Sequence, residues 1–135
     1  MSFKIIDPPT IHESAKTYSH VQATKISPTC TLVTIAGQVG LDKKTGQIPS
    51  SVAEQIQVAL QNLNECLKAV GATPANLINL THYVVNLDPN DKSRSDLVVK
   101  FLDGHRPPGT LVGVSALAHP SLLYEVQATA IVHSG

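Results

Sequence analysis

The segment Leu123 to His133, LYEVQATAIVH, carries a single acidic side chain, Glu125. Strand alternation puts Tyr124, Val126, Ala128, Ala130 and Val132 on one side, and Leu123, Glu125, Gln127, Thr129 and Ile131 on the other. The first side is apolar and mostly small, which suits packing under helices. The second is too polar for a core and too poorly charged for a plainly solvated face. It suits a subunit interface or a ligand cleft. A carboxylate there is costly unless it is paired, hydrated or used in chemistry. The chemistry open to it is the orientation of a water and the passage of a proton. On pattern alone, an exposed or rim-level strand glutamate is the stronger reading.

A second stretch, HRPPGTLVGV, joins a proline-stiffened turn to a strand at Gly109 and places Arg106 three residues upstream. Along that strand Val112, Val114 and Ala116 share one side, and Leu111, Gly113 and Ser115 the other. Gly113 permits close approach of a ligand or another backbone, or marks a bulge. Six histidines (His12, His20, His82, His105, His119 and His133) include no close i, i+4 pair on a helix, so no zinc site is expected. His20 reads as a partly exposed strand residue, and His82 as buried or interfacial. No Ser/His/Asp triad follows from spacing alone. Cys30 and Cys66 have no metal-ligand spacing and read as reduced thiols.

The elements that must position these residues are legible. An N-terminal arm or short strand over residues 1–15 is broken by Pro8 and Pro9. HVQATKIS and CTLVTIAGQVG are rich in β-branched residues and predict two strands. LDKKTGQI follows as a polar loop. Ser51 and Glu54 form an S-x-x-E capping box, and Ile56, Leu60, Leu63, Leu67 and Val70 share one helical face that ends at Gly71. LINLTHYVVNL predicts a strand. Asp88 is expected to cap a second helix with Pro89 in its first turn, an apolar face of Leu97, Val98 and Phe101, and an end at Gly104. Two strands, GTLVGVSAL and LYEVQATAIVH, close the chain. Two strand–helix–strand passages, each long enough for a crossover, predict an α+β domain over residues 1–135 with two helices on one face of a mixed sheet.

Lysine plus arginine equals aspartate plus glutamate at ten each, so the formal net charge is zero. That leaves no basic stripe for nucleic acid, and with no tryptophan there is little base-stacking surface. Near-neutrality also offers little electrostatic resistance to self-association. MSFKIIDPPT lacks the apolar run of a signal peptide and no stretch is long enough to span a bilayer. The expectation is a cytoplasmic protein without membrane attachment.

VTIAGQVGLDKKTGQI, a capped helix ending in ECLKAVGAT, LINLTHYVVNL and the final YEVQATAIV together resemble the RidA/YjgF family over about Tyr18 to Val132. The resemblance implies a chorismate-mutase-like α+β fold and a homotrimer whose sheets pack around a central barrel, with three inter-subunit clefts. It implies a small-molecule ligand: reactive enamines and imines, hydrolysed to the carbonyl product and ammonia without metal or cofactor. Tyr18 matches a tyrosine that closes over the cleft, and Gly37 a glycine whose backbone lies against the ligand. Glu125 matches the carboxylate associated with the attacking water. Gly109 stands where the active deaminases have an arginine that clamps the substrate carboxylate. Leu111 replaces a small residue, commonly cysteine or threonine, near the same ligand.

The missing arginine removes a charge-assisted contact worth roughly 1.5–3 kcal/mol. Three readings follow. Arg106 reaches the cleft from upstream, although Pro107 and Pro108 stiffen its path and a surface arginine is the simpler reading. The substrate lacks the carboxylate or is larger, giving a deaminase of altered range. Or the trimer binds a small metabolite or a partner protein without catalysis. A nuclease role ranks below these, for want of a metal site, a basic groove or aromatic surface.

Overall fold

The computed structural model describes residues 2–134. Six strands form one sheet in the order β1-β2-β3-β6-β4-β5: β1 (Phe3–Ile6), β2 (Val21–Ser27), β3 (Cys30–Val39), β4 (Leu77–Val85), β5 (Gly109–Val114) and β6 (Tyr124–His133). All neighbours are antiparallel except β4 and β5, so the sheet is mixed, as expected. The expected N-terminal arm supplies the edge strand β1.

Helix α1 (Val52–Lys68) crosses from β3 to β4. Ser51 caps it, its side chain accepting from the Glu54 amide at 3.3 Å; only this half of the capping box is formed. At the other end the Ala72 amide donates to the Leu67 carbonyl at 2.9 Å and the Gly71 amide to Lys68 at 3.0 Å. That pattern needs a left-handed residue, and Gly71 supplies it with φ +71°. Ile56, Leu60, Leu63 and Leu67 are buried on the predicted face. They pack against Val126, Ala128 and Ala130 of β6, all fully buried, and Val33 and Ile35 of β3.

Helix α2 (Ser93–Leu102) begins later than expected. Asp88 does not cap it: its carboxylate accepts from the Asn90 amide at 2.9 Å, and Asp91 repeats the motif with Ser93 at 2.9 Å. These short local bonds, with Asn86 at φ +55°, form a turn that competes with helix initiation. The helix ends as expected near Gly104, after Asp103 takes φ +47°. Both helices lie on one face of the sheet. The other face carries no helix.

Two buried amides pin the layers together. Gln55 donates to the carbonyls of Pro49 and Ser121 at 2.8 and 2.9 Å and accepts from the Leu123 amide at 2.8 Å. Asn62 donates to Val39 and Leu41 at 3.0 and 3.1 Å. Removing Gln55 leaves three backbone groups, those of Pro49 before α1 and of Ser121 and Leu123 at the entry to β6, without their partner. Gln55→Ala is expected to lower unfolding stability by about 2–4 kcal/mol in urea titration, against less than about 0.5 kcal/mol for the exposed Gln57→Ala.

Candidate active site

Glu125 is the second residue of β6, on the face without helices, and is half-buried. Its register partners are Val39 on β3 and Tyr83 on β4. The β3–β6 ladder slips between Ile35 and Gln38: Ile35 faces Ala128 and Gln38 faces Val126, so Ala36 and Gly37 together oppose Gln127. Such a bulge re-aims the strand locally. It brings Gly37 so close to Glu125 that a Cβ on the glycine would sit 2.5 Å from the Glu125 carboxylate oxygen Oε2. The carboxylate therefore lies against bare backbone. Burial pushes its pKa above the ordinary glutamate value. A carboxyl with a raised pKa, beside exposed backbone, is suited to exchanging a proton with a nearby water.

Polar contacts behind Gly37 fix the bulge. The Gln38 side chain lies 3.0 Å from His20 Nδ1 and donates to the Ala36 carbonyl at 3.1 Å. His20 Nε2 lies 2.8 Å from the His12 carbonyl, and the Ala36 amide donates to His20 O at 2.8 Å. His20 is thus a fully buried structural residue, not the partly exposed one expected from its strand position. Its burial depends on the N-terminal arm folding back over it, a non-local event that alternation does not report. Tyr18 is exposed and rests edge-on against His20, ring centroids 5.8 Å apart. Tyr18, Gly37 and Glu125 are therefore linked through one packed network.

Gly109, Leu111 and Arg106 lie elsewhere. Gly109 and Leu111 are in register with Leu80 and His82, which face the helices. They sit on the edge strand, on the side opposite Glu125. Gly109 is level with Ala128, three residues along and two strands across from Glu125, a separation of roughly 14 Å. Gly109 has ordinary backbone with the Leu80 carbonyl 3.4 Å from a Cβ position, so no close approach demands a glycine. Arg106 is exposed on the loop before β5. His105 Nε2, 2.7 Å from the Leu77 carbonyl, holds that loop at the end of the sheet away from Glu125. Gly113 is exposed, with Leu87 3.5 Å from its Cβ position and no register slip in that ladder.

A cavity of about 260 Å³ opens beside Leu111, between the first turns of both helices and the turn after β4. Ile56, Val84 and Leu123 give it an apolar floor, and Arg94 lines its wall. No sequence motif marked Arg94; its place follows from the delayed start of α2. Beneath the cavity His82 Nδ1 lies 2.6 Å from the Tyr124 hydroxyl, both buried. Burial, with the positive charge of Arg94, lowers the His82 pKa to about 4. Burial raises that of Tyr124. Cys30 and Cys66 are both free thiols, and burial pushes the Cys66 thiol up to about 12, which leaves it unreactive.

The mixed six-stranded sheet with two helices on one face, and a carboxylate against a bulged glycine on the other, defines a chorismate-mutase-like α+β protein. Residues 10–132 match the family model described as Endoribonuclease L-PSP, and the chain belongs to this family, the RidA/YjgF family. The rat 2-iminobutanoate/2-iminopropanoate deaminase is 35% identical over 99 residues, covering 72% of this chain and 70% of its own length. A Yersinia pestis Rid-family protein, YyfB, of unknown function, superposes with a TM-score of 0.70 at 35% identity, over 96% of this chain and 98% of that one. Escherichia coli TdcF with bound serine superposes at 0.81 with 24% identity, over 95% of this chain and 98% of its own. No helix among the described residues is long and apolar enough to cross a membrane.

The lowered His82 pKa has a consequence for stability. Neutral His82 is favoured in the fold, so its contribution is complete above about pH 6.5 and is lost as pH falls toward about 4. Unfolding stability measured across that window should drop by roughly 3 kcal/mol from this group, and His82→Gln should flatten the drop.

Proposed function

We propose that the chain is an imine or enamine deaminase that hydrolyses small reactive C=N compounds to the carbonyl product and ammonia. We also propose that it works as a homotrimer, in which the Gly37–Glu125 face of one subunit meets the β5 edge of the next. The observation that carries the reading is the half-buried Glu125 carboxylate held against Gly37. The separation of Glu125 from Gly109 and Leu111 in one chain supports a site made between copies. So does the sheet face without helices, where Tyr83, Val112 and Ile131 are only half-buried.

The chemistry balances without a co-reactant other than water. Ionised Glu125 takes a proton from water as its oxygen attacks the carbon of the protonated imine, giving a neutral carbinolamine. It returns that proton to the nitrogen; as the C–N bond breaks, the hydroxyl proton passes to Glu125, the C=O bond forms and ammonia leaves, to be protonated in turn by the Glu125 carboxyl. A carboxyl whose pKa is raised toward neutrality does both transfers better than an ordinary one. Tyr18, on the same network as Gly37, closes the cleft from the solvent side. The nuclease activity in the family model's description is not carried over, because a chain of zero net charge offers no electrostatic footprint for a phosphate backbone. The absence of an arginine at position 109 favours a second reading, a trimer that binds metabolites or a partner without turnover.

Glu125→Gln decides between the two. Imines generated in situ by an amino-acid oxidase should be hydrolysed by the native chain, with a rate that falls as acid protonates Glu125. The profile should break at higher pH than an ordinary glutamate would give. Glu125→Gln should lose about 10²–10⁴-fold in rate with trimer mass unchanged in sedimentation and Tm held or slightly raised, since a half-buried charge has been removed. Equal rates with and without the native protein would leave the binding reading.

A further inference from the structure

We propose that Arg94 is the substrate-carboxylate cation of this chain, so that the task of the arginine missing at position 109 falls to the first turn of α2. The inference rests on the deaminase reading and adds to it the residue that would hold a ligand carboxylate.

Arg94 is half-buried and lines the cavity bordered by Leu111, the residue that the resemblance places beside the ligand. Among the described residues its guanidinium has no carboxylate within ion-pair distance and no recorded side-chain hydrogen bond. The two carboxylates that share the cavity wall, Asp88 and Asp91, are each turned back onto a backbone amide, those of Asn90 and Ser93. A sheltered guanidinium without a counter-ion is poorly compensated. Its planar fork matches a carboxylate in two parallel hydrogen bonds.

The cavity also sets the size of the ligand. At about 260 Å³ it has room for a small metabolite and lies just below the range of pockets that hold drug-sized ligands. Ile56, Val84, Leu111 and Leu123 offer apolar contact for a short aliphatic chain while Arg94 takes the carboxylate. Arg106 has no comparable setting: it is exposed, on the loop pinned by His105.

The test measures binding and turnover separately. Isothermal titration with 2-oxobutanoate, the keto-acid product of 2-iminobutanoate hydrolysis, should show binding to the native trimer and to Glu125→Gln. Arg94→Met, which keeps the aliphatic stem, should weaken it by about tenfold or more. Arg94→Lys keeps the charge without the fork and should fall between, which guards against a folding defect in Arg94→Met. The exposed Lys100→Ala should bind as the native chain does. In turnover, Arg94→Met should raise KM for 2-iminobutanoate and leave kcat/KM for a carboxylate-free aldimine unchanged. Native-like 2-oxobutanoate binding by Arg94→Met, loss of binding in Arg106→Ala instead, or no binding by the native trimer would each overturn the assignment. Arg94-dependent binding without turnover would uphold it and sink the deaminase reading alone.

Discussion

Val126, Ala128 and Ala130 present little volume to the helix layer, and this lets α1 lie close over the middle of the sheet. The rest of the molecule depends on that close approach. It brings Ile56, Leu63 and Leu67 into one core with Val33 and Ile35. It also fixes the facing of β6, because a slip of one residue would drive Glu125 and Gln127 under the helix. Burying a carboxylate there without a partner would cost several kcal/mol. The small apolar side of β6 therefore determines that Glu125 points to the helix-free face. The orientation of the carboxylate is a by-product of core packing.

The same helix layer reaches across to position the site through polar contacts. Gln55 grips the chain just before β6, and Asn62 grips the end of β3 just past the bulge. Gly37 and Glu125 thus belong to two strands whose ends are both tied to α1. A Cβ at Gly40 would fall 2.7 Å from the Gln55 backbone, so the glycine there is required by the approach of helix to strand. Gly37 differs: what it meets is the movable end of a side chain. An alanine at that position could be accommodated by displacing the carboxylate, at less cost to packing than an alanine at Gly40. The two glycines look alike in sequence, yet one serves packing and the other the site.

Local patterns made most of the fold legible. Alternation in β6, the four-and-three repeat of α1 and the Gly71 stop each report on contacts within one element, and each appears in the structure. What was not legible depends on competition or on distant chain. Asp88 has the right type for a helix cap, but a tight turn captured it, and α2 starts at Ser93. His20 has the position of a rim residue, but the N-terminal arm buries it. The bulge at Ala36–Gly37 had one available signal, a glycine inside a strand pattern. The expectation that Gly109 and Leu111 lie near Glu125 came from resemblance, and one chain alone keeps them on opposite faces.

The late start of α2 also explains how a cation could change position between related chains. A side chain from Gly109 would leave the sheet at the level of Leu80, three residues along β4 from Glu125's partner Tyr83. Arg94 approaches instead from the helix layer, over a cavity bordered by Val84 and Leu111, with its charge felt at His82. Those residues flank Tyr83, so Arg94 stands at the same height along the strands as Glu125 but on the opposite face of the sheet, and the two meet one ligand only between copies. A carboxylate clamp needs a guanidinium at the right height and direction, not a particular strand of origin. Filling the space at Leu111 with a larger side chain would close an approach along β5, while leaving the approach from α2 open. In the reading proposed above, a glycine at 109, a leucine at 111 and Arg94 on α2 go together, with the cation carried by the helix and not by the strand.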